Sequence, residues 1–451
     1  MLHSNLPHSI TALLILLSVI TAQDQIVFNQ QATQYDSSTS RDDIQSLVGN
    51  YDLEPGKTEQ LLSDDHLERM MEHVRAHPEK RLVRWADGQQ DWTTEGEKAL
   101  LILKEGRRTF VDITDSWIAN NRHDLPASAF RLDSDPHHLN PNFVTAQNSP
   151  SFPTKIQFGA QKLAPFIDDI QLSRMETRLS HFTNFRTRYY RSSTGKESQA
   201  WLLNEIRTLA SESTSNVTVR EFGHAWGQNT IIARFEPHGD SVQTDVAGSP
   251  TLIIGAHQDS TNLLPFLPAP GADDDGSGTV SILEAFSVLL HQGWSPAPNA
   301  GALEFMWFSA EEGGLLGSQE FARAYRNNNR VVSGMVQFDM TAFVKKGTTP
   351  SVGLVTDFVD PSLTQYLRLL IDEYLSIGWT NTKCGYACSD HASWINVNVP
   401  SAFAIESAFE DSNQKIHSTG DTIHQDEFSF HHMAEFSKLV LGLVIELKGL
   451  A

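Results

Sequence analysis

Acids and histidines set at turns are the residues of this chain best placed to do chemistry. The stretch Pro270-Gly-Ala-Asp273-Asp274-Asp275-Gly-Ser-Gly-Thr279 puts three consecutive aspartates between a glycine-bearing turn and an apolar helical run. The positive end of a helix macrodipole helps keep one carboxylate ionised there, but three in a row ask for a cation. Upstream, His257-Gln-Asp259 offers an imidazole with a carboxylate two positions on, enough to orient a metal-bound ring through its other nitrogen. Glu311 and Glu312 stand adjacent on the turn Ala310-Glu-Glu-Gly-Gly314. Neighbouring side chains diverge on such a turn, so one can bind metal while the other faces a metal-bound water as general base. Asp339 closes the apolar run Val336-Gln-Phe338, where an unpaired carboxylate would be costly to bury or would be driven to protonate. His417 lies in Lys415-Ile-His-Ser-Thr-Gly-Asp421. Alone, each of these is an ordinary acidic turn or loop histidine. Together, two histidines and three carboxylates make a donor set suited to two hard-to-borderline divalent cations, most often zinc.

The surrounding patterning explains how such a set is held. Apolar runs bounded by turns at Thr230–Phe235, Thr251–Ala256, Leu303–Phe308, Met335–Phe338, Val352–Val355 and Ala402–Ile405 read as strands. Helical spacing is predicted at Met175–Tyr190, Ser198–Leu209, Thr279–Gln292, Leu315–Tyr325, Pro361–Ile377 and Phe430–Lys448. Strands alternating with helices imply an α/β fold whose sheet is covered on both faces. His257, Glu311, Glu312 and Asp339 all follow strand ends, where sites gather in open α/β sheets.

The rest of the chain bounds its circumstances. At 451 residues and 40% hydrophobic it has the composition of a globular protein. The run Ile10–Ile20, followed by Thr21-Ala22-Gln23, reads as a signal peptide over 1–22, too short to span a bilayer, so the expected location is extracellular. A net charge of −21 argues against nucleic acid or an anionic membrane as partner. In an exported chain the two cysteines, Cys384 and Cys388, are expected to form one small-loop disulfide, and Asn216-Val-Thr218 is a glycosylation sequon. Residues 23–50 are polar, and 51–117 turn helical and charged, with Leu61, Leu62, Leu67, Met70, Met71 and Val74 at helical spacing. Residues 118–155 have a proline-rich linker composition. The stretch 23–155, between signal and catalytic region, is expected to be a pro-segment and linker, with Lys80-Arg81 and Arg107-Arg108 as processing sites.

Six strings carry a resemblance. They are Gly255-Ala-His-Gln-Asp-Ser260, Pro270–Gly278, Ala310-Glu-Glu-Gly-Gly-Leu-Leu-Gly-Ser318, Phe338-Asp-Met-Thr341, Cys384-Gly-Tyr-Ala-Cys-Ser-Asp-His-Ala-Ser-Trp394 and Ile416-His-Ser-Thr-Gly-Asp-Thr422. In this order the chain resembles, over about 160–451, the co-catalytic zinc aminopeptidases of metallopeptidase family twenty-eight, and among them the secreted leucine aminopeptidases of bacterial and fungal type. The resemblance implies a three-layer α/β/α sandwich with a central twisted mixed sheet over 156–451, and a secreted hydrolase, expected to be a monomer, acting on peptides with a free N-terminus. It implies two zinc ions bridged by Asp274, one completed by His257 and Asp339, the other by Glu312 and His417. It makes Glu311 the general acid/base, has Asp259 orient His257, and brings Tyr386 near the reacting carbonyl. It implies that the Cys384–Cys388 disulfide holds the Tyr386 loop and that Met340, Phe403, Ile405, Phe409 and Ile416 line an apolar pocket preferring Leu-like side chains. Asp390 and His391 are ligand types too, but the family pattern leaves them out.

Two alternatives stand beside this reading. A related dinuclear carboxypeptidase or aminoacylase needs a cation for the substrate carboxylate, and near the motifs only Arg323, Arg326 and Arg330 offer one. A non-catalytic binding ectodomain would be expected to lack a ligand or the base, and here all are present.

Overall fold

The computed structural model describes residues 77–95, 97, 98, 101, 109–120, 152–237, 250–263 and 267–450. The signal at 1–22, the helical spacing at 61–74, Arg107-Arg108 and most of the 118–155 linker fall outside them. Three short strands come first: β1 (Arg81–Trp85), β2 (Gln90–Thr93) and β3 (Phe110–Asp112), antiparallel in the order β2-β1-β3. This corrects the helical expectation for that part of 51–117. Runs of three to five residues such as Arg-Leu-Val-Arg-Trp are too short for an amphipathic helix, and the turn at Asp87-Gly88, with Gly88 at φ 87°, folds β2 back on β1. Arg81 of the dibasic pair opens β1 and bonds Asp112 at 2.7 Å. Helix α1 (Thr114–Asn120) follows.

Beyond the linker come α2 (Ala160–Ile167), α3 (Leu172–Phe182), α4 (Ser193–Glu212), β4 (Val217–Phe222), β5 (Thr230–Phe235) and β6 (Thr251–His257). Next are α5 (Gly278–His291), β7 (Leu303–Phe308), α6 (Leu316–Asn327), β8 (Val332–Phe338), β9 (Ser351–Val355) and α7 (Pro361–Tyr374). The chain ends with β10 (Gly378–Thr382), α8 (His391–Ile395), β11 (Ser401–Ile405) and α9 (Phe430–Lys448). Helical patterning at 175–190 stops at Phe182, and the remainder is a loop in which Thr187 bridges Ala269. The edge strands β4 and β10 lack a fully apolar run, which hides them from a search for buried strands.

The eight strands form one mixed sheet in the order β10-β9-β11-β8-β6-β7-β5-β4. Strands β11, β8, β6 and β7 are mutually parallel, whereas β9 pairs antiparallel with β11 and β5 with β7. Successive side chains on a strand point to opposite faces, and this divides the core in two. Leu252, Ile254, Phe305, Trp307, Val336 and Phe338 pack with α2, α4, α5, α7 and α9. Ile253, Met306, Phe308 and Met335 pack with Phe321, Ala322 and Tyr325 of α6 and Trp394 of α8. The result is the expected α/β/α sandwich. Glu446 of α9 accepts the main-chain N–H groups of Gln157 and Phe158 at 2.7 and 2.8 Å, tying the start of this layer to its last helix.

Helix α5 connects β6 to β7 across one face and α6 connects β7 to β8 across the other, with β8 on the far side of β6. The strand order therefore switches direction around β6, and a crevice opens at the carboxyl ends of β6, β7 and β8. His257 ends β6, Glu311 and Glu312 follow β7, and Asp339 follows β8.

Candidate metal centre

Asp274 sits in the irregular turn Ala272–Ser277 that enters α5, and its two carboxylate oxygens face opposite ways. Oδ1 lies 3.1 Å from His257 Nε2, and Oδ2 lies 2.9 Å from His417 Nε2. On the first side Asp339 Oδ1 is 3.6 Å from the same His257 nitrogen; on the second, Glu312 Oε2 is 3.1 Å from the same His417 nitrogen. Burial opposes ionisation of Asp274, but the adjacent imidazoles of His257 and His417 prevail and hold its carboxyl well below the usual range. His257 Nε2, Glu312 Oε1 and Asp339 Oδ1 are buried without a hydrogen-bond partner. Buried polar atoms in proteins are almost always paired, so unpaired donors converging on common points are what a cation site presents. The residues fit two cations of the zinc type, with Asp274 between them.

The other two aspartates of the triplet are held by hydrogen-bond donors, which the expectation drawn from three in a row leaves out, although Asp275 also clusters with His257 and Asp339. Asp275 accepts the N–H groups of His257 (3.0 Å), Gly278 (2.9 Å) and Met340 (3.1 Å). A Cβ on Gly278 would stand 2.2 Å from Asp275 Oδ1, so only glycine lets α5 begin that close. Asp273 accepts from Ser277, Ala342 N–H and Asn413 Nδ2. Burial pushes its carboxyl up to about 6. Asp421 accepts from the N–H groups of Asp273 and Asp274 and so fixes the turn.

His257 Nδ1 hydrogen-bonds the main-chain oxygen of Asp259 at 3.1 Å, and the Asp259 carboxylate has further neighbours. That carboxylate is 3.4 Å from His257 Nδ1, and it accepts the N–H groups of Glu311 and Glu312 at 3.1 and 3.2 Å, so it docks the β7 turn beside β6. Ser389 was missed; its hydroxyl donates to Asp339 Oδ2 at 2.6 Å and leaves Oδ1 to face the centre. A serine in a Cys-rich loop gives no sequence signal for that. Burial and the carboxylates of Glu312, Asp390 and Asp339 push Glu311 well above the usual carboxyl range, against the pull of His257.

Asp274, Glu311, Glu312, Asp339 and His417 form one end of a single pocket, and Met340, Phe403, Ile405, Phe409 and Ile416 form its apolar wall. Tyr386 reaches the same pocket from a loop closed by the Cys384–Cys388 disulfide, with Asp357 accepting the N–H groups of Cys384 and Gly385. Burial raises the Tyr386 phenol above its ordinary value, so it is a hydrogen-bond donor at neutral pH. Asp390 accepts from Gln337 Nε2 at 3.2 Å, and His391 packs on Phe403 with ring centroids 5.0 Å apart. Burial lowers His391 to about 3, so it stays neutral; neither residue joins the converging five. Among the described residues no arginine or lysine lines the pocket, and Arg323 is paired with Asp115 at 2.7 Å. The carboxypeptidase alternative therefore has no cation in place there. Thr109 and Phe110, at the start of β3, line this pocket together with Tyr386.

Residues 231–442 match Peptidase family M28. The leucine aminopeptidase 1 of Sclerotinia sclerotiorum is 41% identical over 384 residues, covering 82% of this chain and 89% of that protein. That of Chaetomium globosum is 44% identical over 379 residues, covering 82% and 85%. The crystal structure of the Legionella pneumophila LapA aminopeptidase superposes with a TM-score of 0.64 at 28% identity, covering 79% of this chain and 90% of that one.

Proposed function

The chain belongs to peptidase family M28 and is a zinc-dependent metallo-aminopeptidase, and from that premise we propose that it works with two zinc ions bridged by Asp274 to release Leu-like first residues from peptides outside the cell. The observation that carries this reading is the opposed pair of Asp274 oxygens, each within 3.1 Å of a different histidine that has its own carboxylate partner. His257 and Asp339 would hold one ion, Glu312 and His417 the other. Zinc bound there lowers the pKa of a coordinated water and polarises a carbonyl.

The chain's own groups do the rest. Glu311 takes a proton from the attacking water as its oxygen bonds to the carbonyl carbon. The same carboxyl then delivers that proton to the leaving amine as the C–N bond breaks, so the carboxylate is regenerated. Tyr386 O–H donates to the oxygen on which negative charge develops. Asp259 keeps Glu311 and Glu312 at their places by accepting their N–H groups. The apolar wall from Met340 to Ile416 favours a branched aliphatic side chain, and the carboxylates closing the pocket favour a free α-amine. Asn216 is exposed before β4, in keeping with glycosylation of an exported chain.

Metal content and turnover measured together test this. The expected result is two zincs per chain and chelator-sensitive cleavage of leucyl-p-nitroanilide, with the acetyl-blocked and aspartyl substrates at least about tenfold poorer. Cleavage of the blocked substrate at the same rate would sink the aminopeptidase assignment.

Residues 23–155 we propose to be a pro-segment that masks the site. Asp112 N–H donates to Gly314 O at 3.1 Å and Gln319 Nε2 to Asp112 O at 2.9 Å, which docks β3 on the turn that bears Glu311 and Glu312. Thr109 and Phe110 of this segment line the pocket beside Tyr386 and the apolar wall. Limited proteolysis removing this segment should raise leucyl-p-nitroanilide turnover by about tenfold or more, as Thr109 and Phe110 leave the pocket that the substrate side chain enters. Equal rates before and after would discard the inhibitory role.

A further inference from the structure

Arg188 is a fully buried cation that none of the site motifs includes. It lies in the loop after α3, and its guanidinium packs on the Phe182 ring at 4.2 Å. All its side-chain hydrogen bonds go to main-chain carbonyls: Nε to Gln258 O at 2.9 Å, Nη1 to Pro270 O, and Nη2 to Gly271 O at 2.8 Å. Those carbonyls belong to two segments that each carry a candidate ligand of the metal centre. Gln258 follows His257 and precedes Asp259, while Gly271 lies three residues before Asp274.

The neighbourhood is built around this fork. Ser260 Oγ accepts the Arg188 N–H and donates to Ala269 O, closing a second link between the same two segments. Gly271 has φ 53°, and a Cβ there would lie 2.9 Å from Arg188 Nη2 and 2.5 Å from Ser260 Cβ. The turn therefore takes its shape against the arginine. Burial pulls the guanidinium down to about 10, against the nearby carboxylates of Asp421, Asp259, Asp275 and Asp274, so it remains charged at neutral pH.

We propose that Arg188 is a positioning residue for the metal centre: its three-carbonyl clamp sets the separation of His257 from Asp274, and its charge offsets the carboxylates gathered behind them. The proposal rests on the two-metal reading above. Lysine keeps the charge but cannot present three donors in a planar fork, whereas methionine removes both.

The test is zinc affinity by chelator competition, with circular dichroism and steady-state kinetics, on Arg188→Lys, Arg188→Met and the wild type. Arg188→Lys is expected to fold, to bind its weaker zinc about 10- to 100-fold less tightly, and to lose kcat at saturating zinc with KM within about twofold. Arg188→Met is expected to lose more of both. Ser260→Ala, which removes the second link but not the fork, is the control and should retain zinc affinity within about threefold. A folded Arg188→Lys and Arg188→Met with wild-type affinity and kcat would overturn the proposal, as would failure of both to fold, which assigns Arg188 to the scaffold alone. If the wild type itself holds fewer than two zincs, it is the two-metal reading that fails, and the comparison of variants at the remaining ion still decides for or against Arg188.

Discussion

Glu311→Gln is expected to keep both zinc ions and to lose about 10³- to 10⁴-fold in kcat, the upper range for removal of a positioned general acid/base. That factor corresponds to roughly 4–5.5 kcal/mol of transition-state stabilisation at 1.36 kcal/mol per decade. The reasoning is geometric. The Glu311 main chain is fixed by Asp259, and Glu312 beside it is the one that faces His417 at 3.1 Å, so the amide leaves the ligand set intact. Glutamine preserves volume and hydrogen bonding yet cannot accept and return a proton. KM for leucyl-p-nitroanilide should stay within a few-fold, since the apolar wall that binds the side chain is untouched. Zinc analysis with kinetics on one preparation checks this, and activity within tenfold of the wild type would remove Glu311 from the role.

Much of this site was legible in the sequence because each of its charged groups stands at the end of an apolar strand. β5, β7 and α9 lie at the bounds that their apolar runs predict, and His257, Glu311, Glu312 and Asp339 were brought together by the strand order. Less legible was everything that depends on where backbone N–H groups point. Three aspartates in a row look alike as letters, but in space Asp275 binds three amides, Asp273 binds Ser277, Ala342 and Asn413, and only Asp274 of the three faces both His257 and His417. Arg188, Asp421 and Ser389 act through main-chain carbonyls, turn amides and a ligand's second oxygen, contacts that span 50 to 148 positions along the chain and leave no local pattern. The N-terminal sheet was read as helical since charged, leucine-containing stretches dominate the residues before it. Its strands are three to five residues long and are specified by pairing rather than by periodicity.

Asp274 should be the least replaceable residue of the centre. The other four ligand candidates each serve one side, whereas its Oδ1 and Oδ2 face His257 and His417 at 3.1 and 2.9 Å. Asp274→Asn keeps the shape of the side chain but removes the negative charge and one of the two oxygen donors, so one side loses its shared oxygen and the other keeps only a neutral carbonyl. Zinc content is expected to fall from two per chain to below one, with turnover of leucyl-p-nitroanilide reduced at least about 10³-fold even in added zinc. The fold should survive, because the turn is held by Asp273, Asp275 and Asp421 through main-chain amides that do not involve the Asp274 side chain. Far-UV circular dichroism of the metal-free variant should therefore match that of the metal-free wild type. Replacing His417 should instead empty one side and leave about one zinc, as expected if a single carboxylate joins two otherwise separate ligand pairs. An Asp274→Asn chain that keeps two zincs would refute the bridge and leave His257 with Asp339, and Glu312 with His417, as independent sites.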